Sequence, residues 1–192
     1  MYLKDPLERR IDKLMDQVTR AGDDPSKRAA ALEKYLRFAY AHDDGLMDVA
    51  AWTEELVDAY LALGRIDEAV TAATKASRHG HSEAGELLCD LAEKLMRSGH
   101  EPTARGLWDT ARTDFPDDVW VFVQAGSEYH DLGDHATAMS WLTPGVELAI
   151  RTGDPESALD QLVPLRAACQ TALGQQPDEL QLRAAQELAR RR

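Results

Sequence analysis

Apolar residues recur along the chain at the three- and four-residue spacing of amphipathic helices. The spacing is clear where Leu56 precedes Tyr60 and Leu91 precedes Leu95, since each pair lies one turn apart on a single helix face. No part of the chain needs a strand. The pattern therefore predicts an all-α protein of about ten helices, near residues 6–21, 25–41, 47–63, 66–78, 82–98, 102–114, 118–132, 135–151, 155–173 and 177–190.

Three glycines interrupt this pattern at a regular period. Gly64, Gly99 and Gly133 are separated by 35 and 34 residues, a period typical of helical repeat arrays. A glycine inside a helix costs about 1 kcal/mol relative to alanine, whereas a glycine just past a helix end can adopt a conformation that other residues resist. Small residues that let two helices approach closely follow each glycine: Ala69 and Ala76, Ala104 and Ala111, and Ala138 and Gly145. The sequence thus predicts three helical hairpins, each turning at its glycine.

Each hairpin also carries part of a known repeat signature. The copy around Gly99 contains Leu91, Ala92, Leu95, Ala104, Trp108, Ala111 and Pro116. The copies around Gly64 and Gly133 keep the spacing but have Ala73 and Leu142 in place of the aromatic residue. In this pattern, residues 48–150 resemble three degenerate repeats of the tetratricopeptide repeat (TPR) family. The resemblance implies a helical-hairpin repeat solenoid that coils as a right-handed superhelix.

The flanking regions continue the helix–turn–helix pattern less regularly. Residues 1–45 are interpreted as a degenerate N-terminal hairpin and residues 151–192 as C-terminal capping helices, so we expect a single domain over residues 1–192. Pro144 and Pro164 fall inside apolar-periodic segments, where each is expected to kink or split a helix. Five other prolines stand where helices should begin: Pro6, Pro25, Pro102, Pro155 and Pro177.

Charge and composition narrow the classes of partner. The 192 residues carry a formal net charge of -12 and have a sequence pI of about 4.9, so the chain repels nucleic-acid phosphates and anionic membrane surfaces. No stretch has the roughly 18 uninterrupted apolar residues of a membrane span, and the charged N-terminal segment lacks the apolar core of a signal peptide. We therefore expect a cytoplasmic protein that binds neither nucleic acid nor membrane. Cys89 and Cys169 are expected to be two buried thiols.

The resemblance also implies where a partner would bind. In tetratricopeptide proteins the first helix of each repeat lines a concave groove. Transferring that face to this chain gives the candidate groove residues Glu54, Asp58, Glu86, Glu93, Met96, Arg97, Trp120, Ser127, His130 and Asp131. Carboxylates predominate among them, whereas a groove that clamps a peptide's terminal carboxylate needs cationic and amide donors. We therefore expect a non-catalytic interaction module that binds a protein or peptide segment, with a basic segment favoured. The alternative is that these acidic faces only mirror the charge of the whole chain.

Two other classes of function stay open at this point. One is a regulatory or sensor subunit of a larger system. The other is a metal protein or enzyme built on histidines, for which the candidates are His79 with His81, and His130 and His135 beside Asp131 and Asp134. Neither group shows a helical histidine pair followed by a distant third ligand, and the acidic segment from His42 lacks the ligands of an EF-hand. No nucleophile, phosphate-binding or dinucleotide motif occurs, so we expect no enzyme activity, cofactor or metal.

The last predicted helix has apolar positions that need burial: Leu180, Ala184, Ala185 and Leu188. Acidic residues begin this helix and arginines end it, which matches the helix dipole. Three roles stay open for the basic end: its arginines only complement the helix dipole, the helix caps its own chain, or the helix docks on a second copy in a homodimer.

Overall fold

The computed structural model describes residues 5–42, 48–79 and 84–191. Within these ranges the chain forms no strand and ten helices: α1 (Pro6–Ala21), α2 (Pro25–Ala41), α3 (Val49–Ala62), α4 (Ile66–Ser77), α5 (Ala84–Arg97), α6 (Glu101–Asp114), α7 (Val119–Asp131), α8 (His135–Thr152), α9 (Leu159–Ala172) and α10 (Glu179–Arg190). The predicted all-α fold of about ten helices in tetratricopeptide-like hairpins is confirmed. No helix among the described residues is long and apolar enough to cross a membrane.

The periodic glycines end helices in the predicted way. Gly64, Gly99 and Gly133 have φ values of +69°, +85° and +77°. In each turn the glycine N–H donates to the carbonyl three residues earlier, and the next N–H donates to the carbonyl five residues earlier at 2.9 Å. These are the two hydrogen bonds of a Schellman motif. The repeat spacing therefore reflects the same type of helix end at three places. The carbonyls of Tyr60, Leu95 and Tyr129 accept the hydrogen bond that spans five residues.

Small residues bring α7 and α8 close together. A Cβ added at Gly126 would lie 2.7 Å from Cγ of Leu142, and one added at Gly145 would lie 2.8 Å from Cβ of Phe122. Each helix thus contributes one glycine to the contact and one large side chain that covers the partner's glycine. The predicted close approach of two helices at small residues is confirmed in this hairpin.

The helices divide into two compact units, Met1–Leu91 and Ala92–Arg192, with the boundary inside α5. In the first unit α1, α2, α3 and α4 each pack on the next. In the second unit α6 to α10 do the same, while α7 also contacts α9 and α8 contacts α10. The single domain over residues 1–192 and the right-handed superhelix remain predictions.

The turn before α9 corrects one predicted boundary. α9 begins at Leu159 rather than near residue 155, because Asp154 and Ser157 have φ values of +50° and +58°. That left-handed conformation cannot continue a right-handed helix. Pro155 therefore lies in the turn instead of opening the helix. Three other prolines do stand in the first turn of a helix, as predicted: Pro6, Pro25 and Pro102.

The remaining prolines show how packing modifies a local preference. Pro177 precedes α10, which begins at Glu179 because Asp178 caps it. Pro144 and Pro164 lie inside α8 and α9, and both helices continue through them, so neither proline splits its helix. A proline removes one main-chain hydrogen bond, and the buried residues on either side hold the helix in place.

Candidate functional site

Carboxylates surround a cleft in the first unit, which we call the acidic cleft. It has a volume of about 250 Å³ and is lined by Ala50, Ala51, Glu54, Glu86, Leu87 and Asp90. The side chains of Glu54 and Glu86 are exposed, and Asp90 is half-buried. Two alanines leave the space open and give it an apolar surface, and the buried Leu87 lies behind them. This combination suits a cationic side chain with an aliphatic stem.

Helical spacing places the carboxylates of the acidic cleft. Glu86 and Asp90 are four residues apart on α5, so they lie one above the other on the same side of the helix. Glu54 lies on α3, whose start is set by Asp48: its carboxylate accepts a hydrogen bond from the N–H of Ala51 at 3.0 Å. The N-cap of α3 and the four-residue spacing on α5 thus position the acidic groups.

The cleft contains only part of the predicted groove. Glu54 and Glu86 are candidate groove residues that line it, while Asp58, one turn beyond Glu54, is exposed outside the lining. Asp90 is a lining residue that the sequence prediction missed, because the helix face transferred from the repeat family did not include it. The four-residue spacing from Glu86 was the signal that could have found it.

In the second unit, Arg97 lies between two carboxylates. Its Nη2 atom is 2.7 Å from Oε1 of Glu93 and 3.3 Å from Oε2 of Glu128. Glu128 is only 5% exposed; burial raises the pKa of its carboxyl group, and the Arg97 guanidinium opposes that rise. Glu93 and Arg97 were both candidate groove residues. Here Arg97 pairs with Glu93 and also with Glu128, a buried glutamate that the sequence prediction missed.

The other candidate groove residues of the second unit differ in exposure. Met96, expected to offer an apolar contact to a partner, is only 8% exposed and belongs to the core, because the apolar stripe of α5 includes both Leu95 and Met96. Trp120 and Ser127 are half-buried on α7, and Asp131 is exposed at its end.

Three side chains of types that can bind a metal ion lie close together where α7, α8 and α9 meet. His130 lies near the end of α7, His135 is the first residue of α8, and Cys169 lies in α9. One ring nitrogen of each histidine and the Cys169 sulfur all lie within 4.8 Å of one another. The Sγ atom of Cys169 is 3.3 Å from Nδ1 of His130, and the two imidazole centroids are 5.0 Å apart. We call this group the His–His–Cys cluster.

The composition of the His–His–Cys cluster differs from the sequence expectation. Asp131 and Asp134, the expected neighbours of the histidines, do not belong to it. Asp134 instead caps α8 by accepting a hydrogen bond from the N–H of Thr137 at 3.1 Å. Cys169 lies 34 residues beyond His135, so only the packing of α9 on α7 and α8 brings its thiol to the histidines.

Both cysteines are buried, as predicted. Burial raises the pKa of the Cys169 thiol. A nucleophilic cysteine needs a lowered pKa and access to substrate, whereas Cys169 has no exposed surface. The contact between Cys169 and His130 therefore does not resemble the thiolate–imidazolium pair of a cysteine hydrolase.

The second predicted histidine pair consists of His79 and His81. His81 and residues 43–47 of the acidic segment after His42 lie outside the described residues. His79 follows α4, and its ring centroid is 4.4 Å from that of Tyr40.

A buried arginine holds α10 on α8 and α9. Arg166 donates to both carboxylate oxygens of Asp178, at 2.9 and 2.6 Å, to Oε1 of Gln181 at 3.1 Å and to Oγ1 of Thr143 at 3.2 Å. The guanidinium lowers the pKa of Asp178 to about 2. α10 thus caps its own chain, and a homodimer through this helix remains a prediction. Of its expected apolar positions, Ala184 is buried, Leu180 and Leu188 are half-buried and Ala185 is exposed.

Comparison with known proteins finds likenesses among solved structures. No protein-family model matches the chain, and no curated protein matches it. A kinesin light chain from Podosopora anserina with nearly identical TPR-like repeats is 17% identical, over 98% of this chain and 96% of that one, with a TM-score of 0.48. MamA from Desulfovibrio magneticus RS-1, from its residue 41 to the end, is 17% identical over 99% of both chains, with a TM-score of 0.45. These likenesses concern the fold alone.

Proposed function

We propose that this protein is a non-catalytic interaction module whose acidic cleft binds a basic segment of a partner protein. The observation that carries the proposal is the cleft itself, in which Glu54, Glu86 and Asp90 surround an open space that is also lined by Ala50 and Ala51. A lysine or arginine side chain would lay its methylene groups on Ala50 and Ala51 and direct its charge to the carboxylates. Helical-hairpin repeats present such surfaces to extended partner segments.

The charge of the chain supports a basic partner. A formal net charge of -12 attracts cationic segments over long range and repels acidic ones. Each exposed ion pair contributes only about 0.2–1 kcal/mol, and salt screens it. We therefore expect an interaction of moderate affinity that weakens as the ionic strength is raised.

The environment of Cys169 supports the non-catalytic part of the proposal. The Sγ atom of Cys169 lies 3.3 Å from Nδ1 of His130, which places a thiol beside a possible base. That thiol is fully buried and its pKa is raised, both of which oppose nucleophilic chemistry.

Peptide selection tests the proposal directly. The chain is immobilised at low salt, and short peptides of random sequence displayed on phage are selected for binding. We expect lysine and arginine to be enriched among the selected peptides. A Glu54→Lys/Glu86→Lys variant should lose these peptides, because it replaces two of the three cleft carboxylates with cations.

A matched variant controls for net charge. Asp109→Lys/Glu147→Lys makes the same change in charge at exposed positions of α6 and α8 and should retain the selected peptides. Circular dichroism first establishes that both variants are as helical as the parent chain. Selection of acidic or purely apolar peptides, or equal binding by all three proteins, would overturn the proposal.

A further inference from the structure

We propose that the His–His–Cys cluster is a binding site for a zinc-type transition-metal ion, held by His130, His135 and Cys169. Imidazole nitrogen and thiolate sulfur are ligands that Zn²⁺ favours, and three protein ligands with a fourth position for water form a common coordination set. The three residues come from the end of α7, the start of α8 and the body of α9, all within the second unit.

The distances in the cluster approach those of a tetrahedral site. With Zn–N bonds of about 2.0–2.1 Å and a Zn–S bond of about 2.3 Å, neighbouring ligand atoms lie roughly 3.3–3.6 Å apart. The distance of 3.3 Å between Cys169 Sγ and His130 Nδ1 already matches one edge of such a site. The other edges are at most 4.8 Å long, so metal binding needs them to shorten by no more than about 1.5 Å, which we assign to rotation of the half-buried His135 ring.

An unpaired ring nitrogen points independently to a missing ligand. Nδ1 of His135 is buried and has no hydrogen-bond partner among the described residues. A buried polar atom without a partner costs free energy, and such atoms are uncommon in folded proteins. A hydrogen bond between Cys169 and His130 accounts for two members of the cluster but leaves Nδ1 of His135 without a partner. A shared metal ion accounts for all three.

Access and proton balance are compatible with metal binding. Cys169 is fully buried, whereas His130 and His135 are half-buried, so an ion would enter from the histidine side and keep water as its fourth ligand. Two metal–nitrogen bonds and one metal–sulfur bond form, and the thiol proton is released to solvent. No electron is transferred. The bound ion would tie α7, α8 and α9 together and stabilise the second unit.

Titration with Co²⁺ tests this site on the whole chain. The reduced, metal-free protein is titrated with Co²⁺ and then with Zn²⁺. We expect a thiolate-to-cobalt charge-transfer band and the visible absorption of tetrahedral Co²⁺, saturating at one ion per chain and lost when Zn²⁺ displaces the cobalt. Cys169→Ser should abolish the charge-transfer band. His135→Ala should weaken Co²⁺ binding by about 100-fold or more, since even outer-shell substitutions cost about 10–100-fold.

Two substitutions of the same residue types serve as controls. Cys89→Ala removes the other buried thiol and His100→Ala removes an exposed histidine before α6, and both should keep the band. Cys169 lies in the core, so its substitution could disturb the fold as well as the site. A second measurement therefore uses the half-buried His135 and follows thermal unfolding with and without Zn²⁺. Zn²⁺ should raise the Tm of the parent chain and not that of His135→Ala. A parent chain without the charge-transfer band at saturating Co²⁺, a band lost in Cys89→Ala but kept in Cys169→Ser, or an equal rise in Tm for both proteins would overturn the proposal.

Discussion

Replacing Gly145 with alanine tests the close contact between α7 and α8. The new Cβ would lie 2.8 Å from Phe122 Cβ and 3.1 Å from Leu162 Cδ2, and the Phe122 Cβ cannot move without its main chain. Extra atoms in a well-packed core cost about 1–3 kcal/mol. Alanine also gains about 1 kcal/mol of helix propensity over glycine. We therefore expect Gly145→Ala to lower the free energy of unfolding by as much as about 2 kcal/mol.

Gly106→Ala is the matched control for this prediction. Gly106 lies in α6, and a Cβ there would meet nothing within 4 Å, so the variant should gain only the helix propensity. The difference between the two alanine variants isolates the packing cost, which we expect to be about 1–3 kcal/mol. Urea unfolding followed by circular dichroism measures both. Equal stabilisation by the two substitutions would refute the close packing of α7 on α8.

Two further predictions concern the ion pairs around α10. Arg166 lowers the pKa of Asp178 from the ordinary aspartate value of 3.8 to about 2, so the pair stabilises the fold fully above pH 3.8 and loses that contribution as the pH falls toward 2. Because the Asp178 side chain is 48% exposed, we expect the pair to contribute about 1 kcal/mol to the free energy of unfolding. In the Asp178→Asn variant, the midpoint of urea unfolding should fall less steeply as the pH is lowered from 3.8 toward 2. A pH profile identical to that of the parent chain would contradict this role. Arg191 donates to the buried Asp154 carboxylate, so Arg191→Ala should cost about 1–3 kcal/mol in urea unfolding, while Arg190→Ala, at an exposed pair, should cost under about 0.5 kcal/mol. Equal effects of these two arginine substitutions would rule out the Asp154 contact as a source of stability.

Local rules explain why most of the fold could be predicted. The Gly64, Gly99 and Gly133 turns use hydrogen bonds that span only five residues, so their period is visible in the sequence. Asp5 and Asp24 cap α1 and α2 within the same short range, and the predicted bounds of those two helices match the observed ones.

Contacts between distant residues explain the differences. The turn that delays α9 places Asp154 at a positive φ, and its carboxylate is bound by Arg191, 37 residues away. The His–His–Cys cluster depends on Cys169, which has no local link to His130. In the candidate groove, Glu93 and Arg97 lie four residues apart on one helix, so their pair could have been predicted from local spacing. The contact of Arg97 with Glu128 could not, because Glu128 lies on another helix.

The central claim is that the acidic cleft binds a basic segment, and an NMR titration tests it most directly. A selected basic peptide is added to the isotope-labelled chain, and the backbone amide resonances are followed. We predict the largest shifts at Ala50, Ala51, Glu54, Leu87 and Asp90, which line the cleft, and smaller shifts at high salt. Saturable binding that shifts the resonances of α10 or the rest of the second unit, with the cleft unchanged, would contradict the claim.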